Sequence, residues 1–341
     1  MKALVLREYG KDLALEEIVK PEPRRDEIIL KVSYCGLCGT DLKIASGKLS
    51  SIIKLPHVPG HEIVGRVESV GAGVRGLKEG DHGVAYFYVS CGVCEMCRSG
   101  KENICATVER LGFERYGGFA EYVRLPAYNV CTYEGTVAEE KMAVLPDAIA
   151  TPYHALKTVA SARIGQFVLI VGIGGLGIHA VQIAKHMGCI VVGTDRRKEV
   201  MQKALAFGAD LVVNPDEADV RESVMRFTGG RGVDVVIENV GTDETIQWSV
   251  SCLKRGGVLV IVGYDPLNPI GLNGMTMLYN EWTIRGSRVS TRQELVEVIH
   301  LVQTGKIDPV VTKVIKLEDV NLGLAELKDK KNVGRLVVKV G

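Results

Sequence analysis

Residues 167–187 read FVLIVGIGGLGIHAVQIAKHM. The apolar run Phe167 to Val171 fits a buried strand. The GxGxxG run Gly172-Ile173-Gly174-Gly175-Leu176-Gly177 follows it directly, and Ile178 to Met187 reads as a helix. Strand, glycine turn and helix in this order form the setting in which such a run binds a dinucleotide. The glycines permit a tight turn and close approach of backbone to pyrophosphate, and the helix N-terminus faces the anionic charge. The next apolar run, Ile190 to Thr194, leads into Asp195, 18 residues past the last glycine, where an acid can take ribose hydroxyls. Gly172, Gly174, Gly175, Leu176, Gly177 and Asp195 are therefore candidate cofactor residues. A carboxylate repels a 2'-phosphate, which favours NAD. Arg196 and Arg197 keep NADP open, as partners of that phosphate or as solvated charges at a helix start.

The same grammar extends outward. From Gly165 to Ser287, the runs Phe167–Val171, Ile190–Thr194, Leu211–Val213, Val233–Glu238, Val258–Val262 and Trp282–Gly286 alternate with helical patterns. This predicts an α/β fold, a doubly wound parallel sheet of Rossmann type. Up to about residue 145 the chain is β-rich and broken by glycine turns. Arg292 to Thr304 has helical periodicity and Gly334 to Val340 reads as a strand. The 341 residues exceed the roughly 250–300 that one core serves, so two domains are expected.

Composition excludes several function classes. With 46% hydrophobic and 24% charged residues the chain can bury a core and is not a disordered one. A net charge of +1 provides no electrostatic footprint for nucleic acid or an anionic membrane. The longest apolar stretch, Phe167 to Ile178, is short of the ~20 residues of a membrane span. The run Ala3 to Leu6 is too short for the core of a secretory signal. Nine cysteines, five of them in CxxC spacings, read as metal ligands before disulfides and predict a reducing cytoplasm.

Cys91, Cys94, Cys97 and Cys105 follow CxxCxxCxxxxxxxC, with Gly92 and Gly100 between them. Four thiolates this close suit a tetrahedral structural zinc with no position left for substrate. An iron-sulfur cluster or four unrelated thiols are the alternatives. A zinc ribbon gripping nucleic acid is disfavoured by the balanced flanks Glu95, Arg98, Lys101 and Glu102.

Cys35-Gly36-Leu37-Cys38-Gly39-Thr40-Asp41 and Pro59-Gly60-His61-Glu62 resemble signatures of the zinc-dependent medium-chain alcohol dehydrogenases. These motifs, the four-cysteine lobe, the glycine turn and the terminal Gly334-Arg335 occur in that family's order. The resemblance implies a GroES-like β-rich catalytic domain (1–147, with the zinc lobe 91–105), a Rossmann domain (148–286) and a return segment (287–341). It implies a catalytic zinc on Cys38 and His61, with Glu62 beside it. Asp147 stands where the family often has a cysteine and is the expected third ligand; a helix-cap role for Asp147 would leave Glu62 as substitute. Thr40 resembles the hydroxyl that accepts the substrate proton, and Lys43 replaces the histidine often found further along that relay. Asp41 resembles the acid that supports the ligand histidine. Val240-Gly241, Val262-Gly263 and Gly286-Ser287 are implied edges of the nicotinamide site, and Arg335 a pyrophosphate contact.

By that resemblance the chain is an oxidoreductase that moves a hydride between a small alcohol and NAD, or back to an aldehyde or ketone. A homotetramer is implied as well. A polyol or threonine dehydrogenase of the same family is the alternative, and a dinucleotide-binding protein without turnover is the alternative from another class.

Overall fold

The computed structural model describes residues 1–135, 137–267, 269–330 and 332–341. The chain forms two compact units. One comprises Met1–Asp147, Thr291–Thr304 and Pro309–Gly341; the other comprises Ala148–Ser290 and Gly305–Asp308. The first division falls at 147/148. The expected return segment 287–341 does not stay in one piece, because residues 287–290 and 305–308 cluster with the nucleotide-type unit.

In that unit six strands pair in parallel in the spatial order Leu211–Val213, Ile190–Thr194, Phe167–Val171, Val233–Glu238, Leu253–Ile261, Thr283–Gly286. Counted along the chain this is 3-2-1-4-5-6, which reverses direction between the first strand and the fourth. Helices cover a parallel sheet on both faces, so its strands are apolar without alternation: Val168, Leu169, Ile170 and Val171 are all buried. The helix Gly177–His186 buries Ile178, Val181 and Ile183. Register aligns the carboxyl ends: Val171 lies opposite both Thr194 and Glu238, Glu238 opposite Ile261, and Ile261 opposite Gly286. The loops therefore leave one edge together at Gly172, Asp195, Asn239, Val262 and Ser287.

The first unit is built on the long strand Glu27–Leu37, which pairs antiparallel with Glu62–Val70, Arg335–Lys339 and Tyr122–Pro126 in a seven-stranded sheet. Its register sets Gly36 opposite Glu62 and Leu37 opposite Leu336. Three segments distant in sequence thus end side by side, carrying Cys38, His61-Glu62 and Arg335 to one end of the sheet. Gly36 is required there, since a Cβ would come within 1.9 Å of Glu62 Oε2.

Candidate active site

Cys38 leaves the long strand and caps the helix Gly39–Ala45, its sulfur accepting the Thr40 N–H at 3.5 Å. Asp41 closes the reciprocal bond, Oδ2 accepting from Cys38 N at 2.8 Å, while its Oδ1 faces His61 Nδ1 at 3.6 Å. Asp41 is therefore both a capping residue and the neighbour of the histidine. His61 lies against two buried aromatic rings, Phe87 at 5.1 Å and Phe113 at 5.3 Å between centroids. These walls restrict its ring and exclude water.

Asp147 sits in the helical turn Leu145–Ile149 and is buried. It is not an N-cap there. Its Oδ2 lies 3.4 Å from Cys38 Sγ and 3.8 Å from His61 Nε2. One ligand atom from each of Cys38, His61, Glu62 and Asp147 falls within 4.8 Å of all the others. Around one tetrahedral zinc, sulfur and oxygen would stand about 3.6 Å apart, and nitrogen and oxygen about 3.4 Å. The separations fit such an ion to within a few tenths of an ångström. The charge fits too: burial opposes a charged His61, yet Asp41, Asp147 and Cys38 raise its pKa well above the ordinary value. A site this anionic suits a cation.

Arg335 packs against the ligand cluster. Its guanidinium is buried in the first unit, donating from Nε to Glu62 Oε1 at 2.9 Å and from Nη2 to Asp147 Oδ2 at 2.9 Å and Cys38 Sγ at 3.5 Å. These donors face the ligand cluster. Burial pushes the Glu62 carboxyl up to about 8, against the pull of the Arg335 guanidinium 2.9 Å away. Glu62 Oε2 is buried without a hydrogen-bond partner. Nothing in the local sequence signals Arg335's role, since it stands 297 residues from Cys38.

The four lobe thiols converge as their spacing predicted. Sulfurs at about 2.3 Å from a tetrahedral zinc would stand about 3.8 Å apart. Cys91 and Cys97 lie 3.9 Å apart, Cys94 and Cys97 3.5 Å, Cys94 and Cys105 3.9 Å, and Cys105 and Cys91 3.6 Å. The backbone N–H groups of Val93 and Cys94 hold the Cys91 thiol down to about 6, a favourable state for a thiolate ligand.

On the nucleotide-type unit, Gly172 has φ +76° and a Cβ there would lie 2.7 Å from Val240; one on Gly177 would lie 2.1 Å from the Gly172 carbonyl. Gly174 faces open space, the kind of cradle a phosphate fills. Asp195 turns toward this loop, Oδ2 accepting from Ile173 N at 3.1 Å. Arg197 grips the same carboxylate through its own N–H at 3.0 Å and its guanidinium at 2.9 and 3.0 Å. Arg196 forms an exposed pair with Asp216 at 3.2 Å. Val240, Val262, Gly263 and Ser287 stand on the loop edge defined by the strand register.

Comparison with known proteins agrees with both units. Residues 24–135 match the family model of the alcohol dehydrogenase GroES-like domain, and residues 175–304 that of the zinc-binding dehydrogenases. An alcohol dehydrogenase of Geobacillus stearothermophilus is 37% identical over 341 residues, all of this chain and all of the relative. An NAD-dependent alcohol dehydrogenase of Sulfurisphaera tokodaii is 32% identical over 99% of each chain. The crystal structure of the alcohol dehydrogenase from Aeropyrum pernix superposes with a TM-score of 0.93 at 35% identity, covering 99% of this chain and 100% of that one. With a ligand cluster, a four-thiol lobe and a glycine turn all in their places, the chain belongs to the zinc-dependent medium-chain alcohol dehydrogenases.

Proposed function

We propose that this chain oxidises a primary or secondary alcohol with NAD, and reduces the matching aldehyde or ketone, at a zinc site of Cys38, His61 and Asp147. The observation that carries this reading is the buried convergence of those three side chains, with separations suited to one tetrahedral ion. When bound, zinc supplies a Lewis acid that makes an alcohol hydroxyl acidic near neutral pH. The protein's own residues do the rest. Asp41 fixes the ring of His61, and Arg335 holds Glu62 by one oxygen, so that Glu62 stands beside the three ligands as a reserve. The Thr40 hydroxyl, in the first turn of Gly39–Ala45, relays the proton of the alcohol, taking it up as its own proton passes outward to solvent, and Lys43 lies one turn further along the same helix.

NAD belongs on the other unit. Gly172 to Gly177 and the start of the following helix hold the pyrophosphate, Asp195 faces the ribose, and the edge of Val240, Val262, Gly263 and Ser287 borders the nicotinamide. The Arg197 grip on Asp195 leaves NADP a weaker competitor and not an excluded one. A second zinc, on Cys91, Cys94, Cys97 and Cys105, is structural. Nine free cysteines suit a reducing cytoplasm, and among the described residues no helix is long and apolar enough to cross a membrane. A homo-oligomer, a tetramer by family resemblance, is supported by the last strand of the parallel sheet, Thr283–Gly286, and by exposed Leu267, Met275, Leu278 and Tyr279 nearby in sequence.

The test joins metal analysis to turnover. Purified protein should carry two zinc ions per chain and generate the NADH absorbance with members of a panel of primary and secondary alcohols. Failure with every alcohol, and with aldehydes and ketones in the presence of NADH, would sink the reading.

A further inference from the structure

The strand Val233–Glu238 ends in a carboxylate that is 0% exposed. Glu238 accepts hydrogen bonds from Gly241 N at 2.7 Å, Thr245 Oγ1 at 2.8 Å and Val240 N at 3.2 Å. Its backbone carbonyl accepts from Val262 N and Gly263 N, both at 2.9 Å. One residue therefore ties together the two loops that border the nicotinamide in the reading above. These loops are also interlocked: a Cβ on Gly241 would lie 2.3 Å from Tyr264 N, and one on Gly263 2.3 Å from the Asn239 carbonyl. Burial raises the carboxyl's proton affinity, and the groups that oppose it are Thr245, Gly241 and Val240, with no cation among them.

Burying a carboxylate without a cation is costly, and joining two loops does not of itself call for a charge. The oxidised nicotinamide ring is a cation and the reduced ring is neutral. A fixed anion under the ring edge acts on the first and not on the second, and its field is little screened because the carboxylate is closed off from water. We propose that Glu238 supplies a buried negative charge beneath the nicotinamide and thereby tightens the binding of NAD+ relative to NADH. The inference rests on the cofactor reading given above.

Titration calorimetry of NAD+ and NADH tests it on zinc-loaded protein. In Glu238→Gln the ratio Kd(NAD+)/Kd(NADH) should rise roughly tenfold, the effect of one unit charge at several ångströms in a partly polar medium. Glu238→Asp keeps the charge with a shorter reach, so both constants should weaken while the ratio stays near that of the wild type. Thr245→Lys brings an ammonium to the same carboxylate from a half-exposed position and should raise the ratio in the same direction. That variant decides the matter if Glu238→Gln does not fold. Equal changes of both constants in the neutralised variants would make Glu238 a loop tie and overturn the proposal while the cofactor reading stands. Wild-type protein that binds neither nucleotide would overturn both.

Discussion

Asp147 is the residue on which the proposed ligand set turns, because it is the one that departs from the commoner cysteine. It meets Cys38, His61 and Arg335 through a single oxygen. Asp147→Asn keeps the shape and removes the anion. Zinc affinity and kcat should each fall by more than about a hundredfold, beyond what loss of a merely supporting group produces, with NADH binding nearly unchanged. Asp147→Cys should retain catalytic zinc and part of the activity, since thiolate is a good zinc ligand. Metal analysis and steady-state kinetics on the two variants check this; full zinc and normal turnover in the Asn variant would move the third position to Glu62. Of this site, Cys38, His61, Glu62 and Asp147 were legible in the sequence through their motif context. The contacts of Arg335 with Glu62 and Asp147 were not, because an arginine near a terminus looks the same in sequence whether solvated or buried against two carboxylates.

At the scale of elements, the zinc lobe and the sheet edges work differently. The lobe has little regular structure of its own, the short helix Glu95–Arg98 and the turn Glu102–Ile104, and neither Cys91 nor Cys97 is buried. A segment with so little core depends on its metal for order. Cys94→Ser should therefore lose about one zinc of two and lower Tm, by about 4–8 °C if ~2 kcal/mol is lost. Differential scanning calorimetry with metal analysis is the measurement, and an unchanged Tm with reduced turnover alone would contradict a structural role. The parallel sheet draws its order from apolar strands packed on both faces. For this reason its strands were readable within a few residues from the sequence, although Leu253–Ile261 begins earlier than the run Val258–Val262 indicated. The extra residues include Lys254, Arg255 and two glycines, a polar start that breaks the apolar pattern.

For the whole molecule, the nucleotide-type sheet ends on Thr283–Gly286, a strand that among the described residues has a partner on one side only. Met275, Leu278 and Tyr279 are 67–72% exposed on the helix Gly274–Asn280 that precedes it. An open edge beside exposed apolar side chains favours association of identical chains. Light scattering should show an oligomer, and Met275→Glu with Leu278→Glu should shift it to smaller species. A monomeric wild type would end the oligomer proposal.

The sequence by itself determined what depends on neighbours along the chain. The glycine turn, the four-cysteine spacing and the helix cap at Cys38 each lie within a few residues, and so does the strand-helix alternation that predicts a parallel sheet. Their physics is local: φ freedom, ligand reach and hydrophobic periodicity. Tertiary structure decided what depends on register between distant strands. Pairing of Gly36 with Glu62 and of Leu37 with Leu336 brings Arg335 onto the ligand cluster, and pairing of Val171 with Glu238 sets a buried acid at the carboxyl edge of the parallel sheet. It also returned residues 305–308 to the nucleotide-type unit. A shift of one residue in any of those strands would turn the same side chains to the opposite face, so their roles are set by how the whole sheet packs and not by their own surroundings in the sequence.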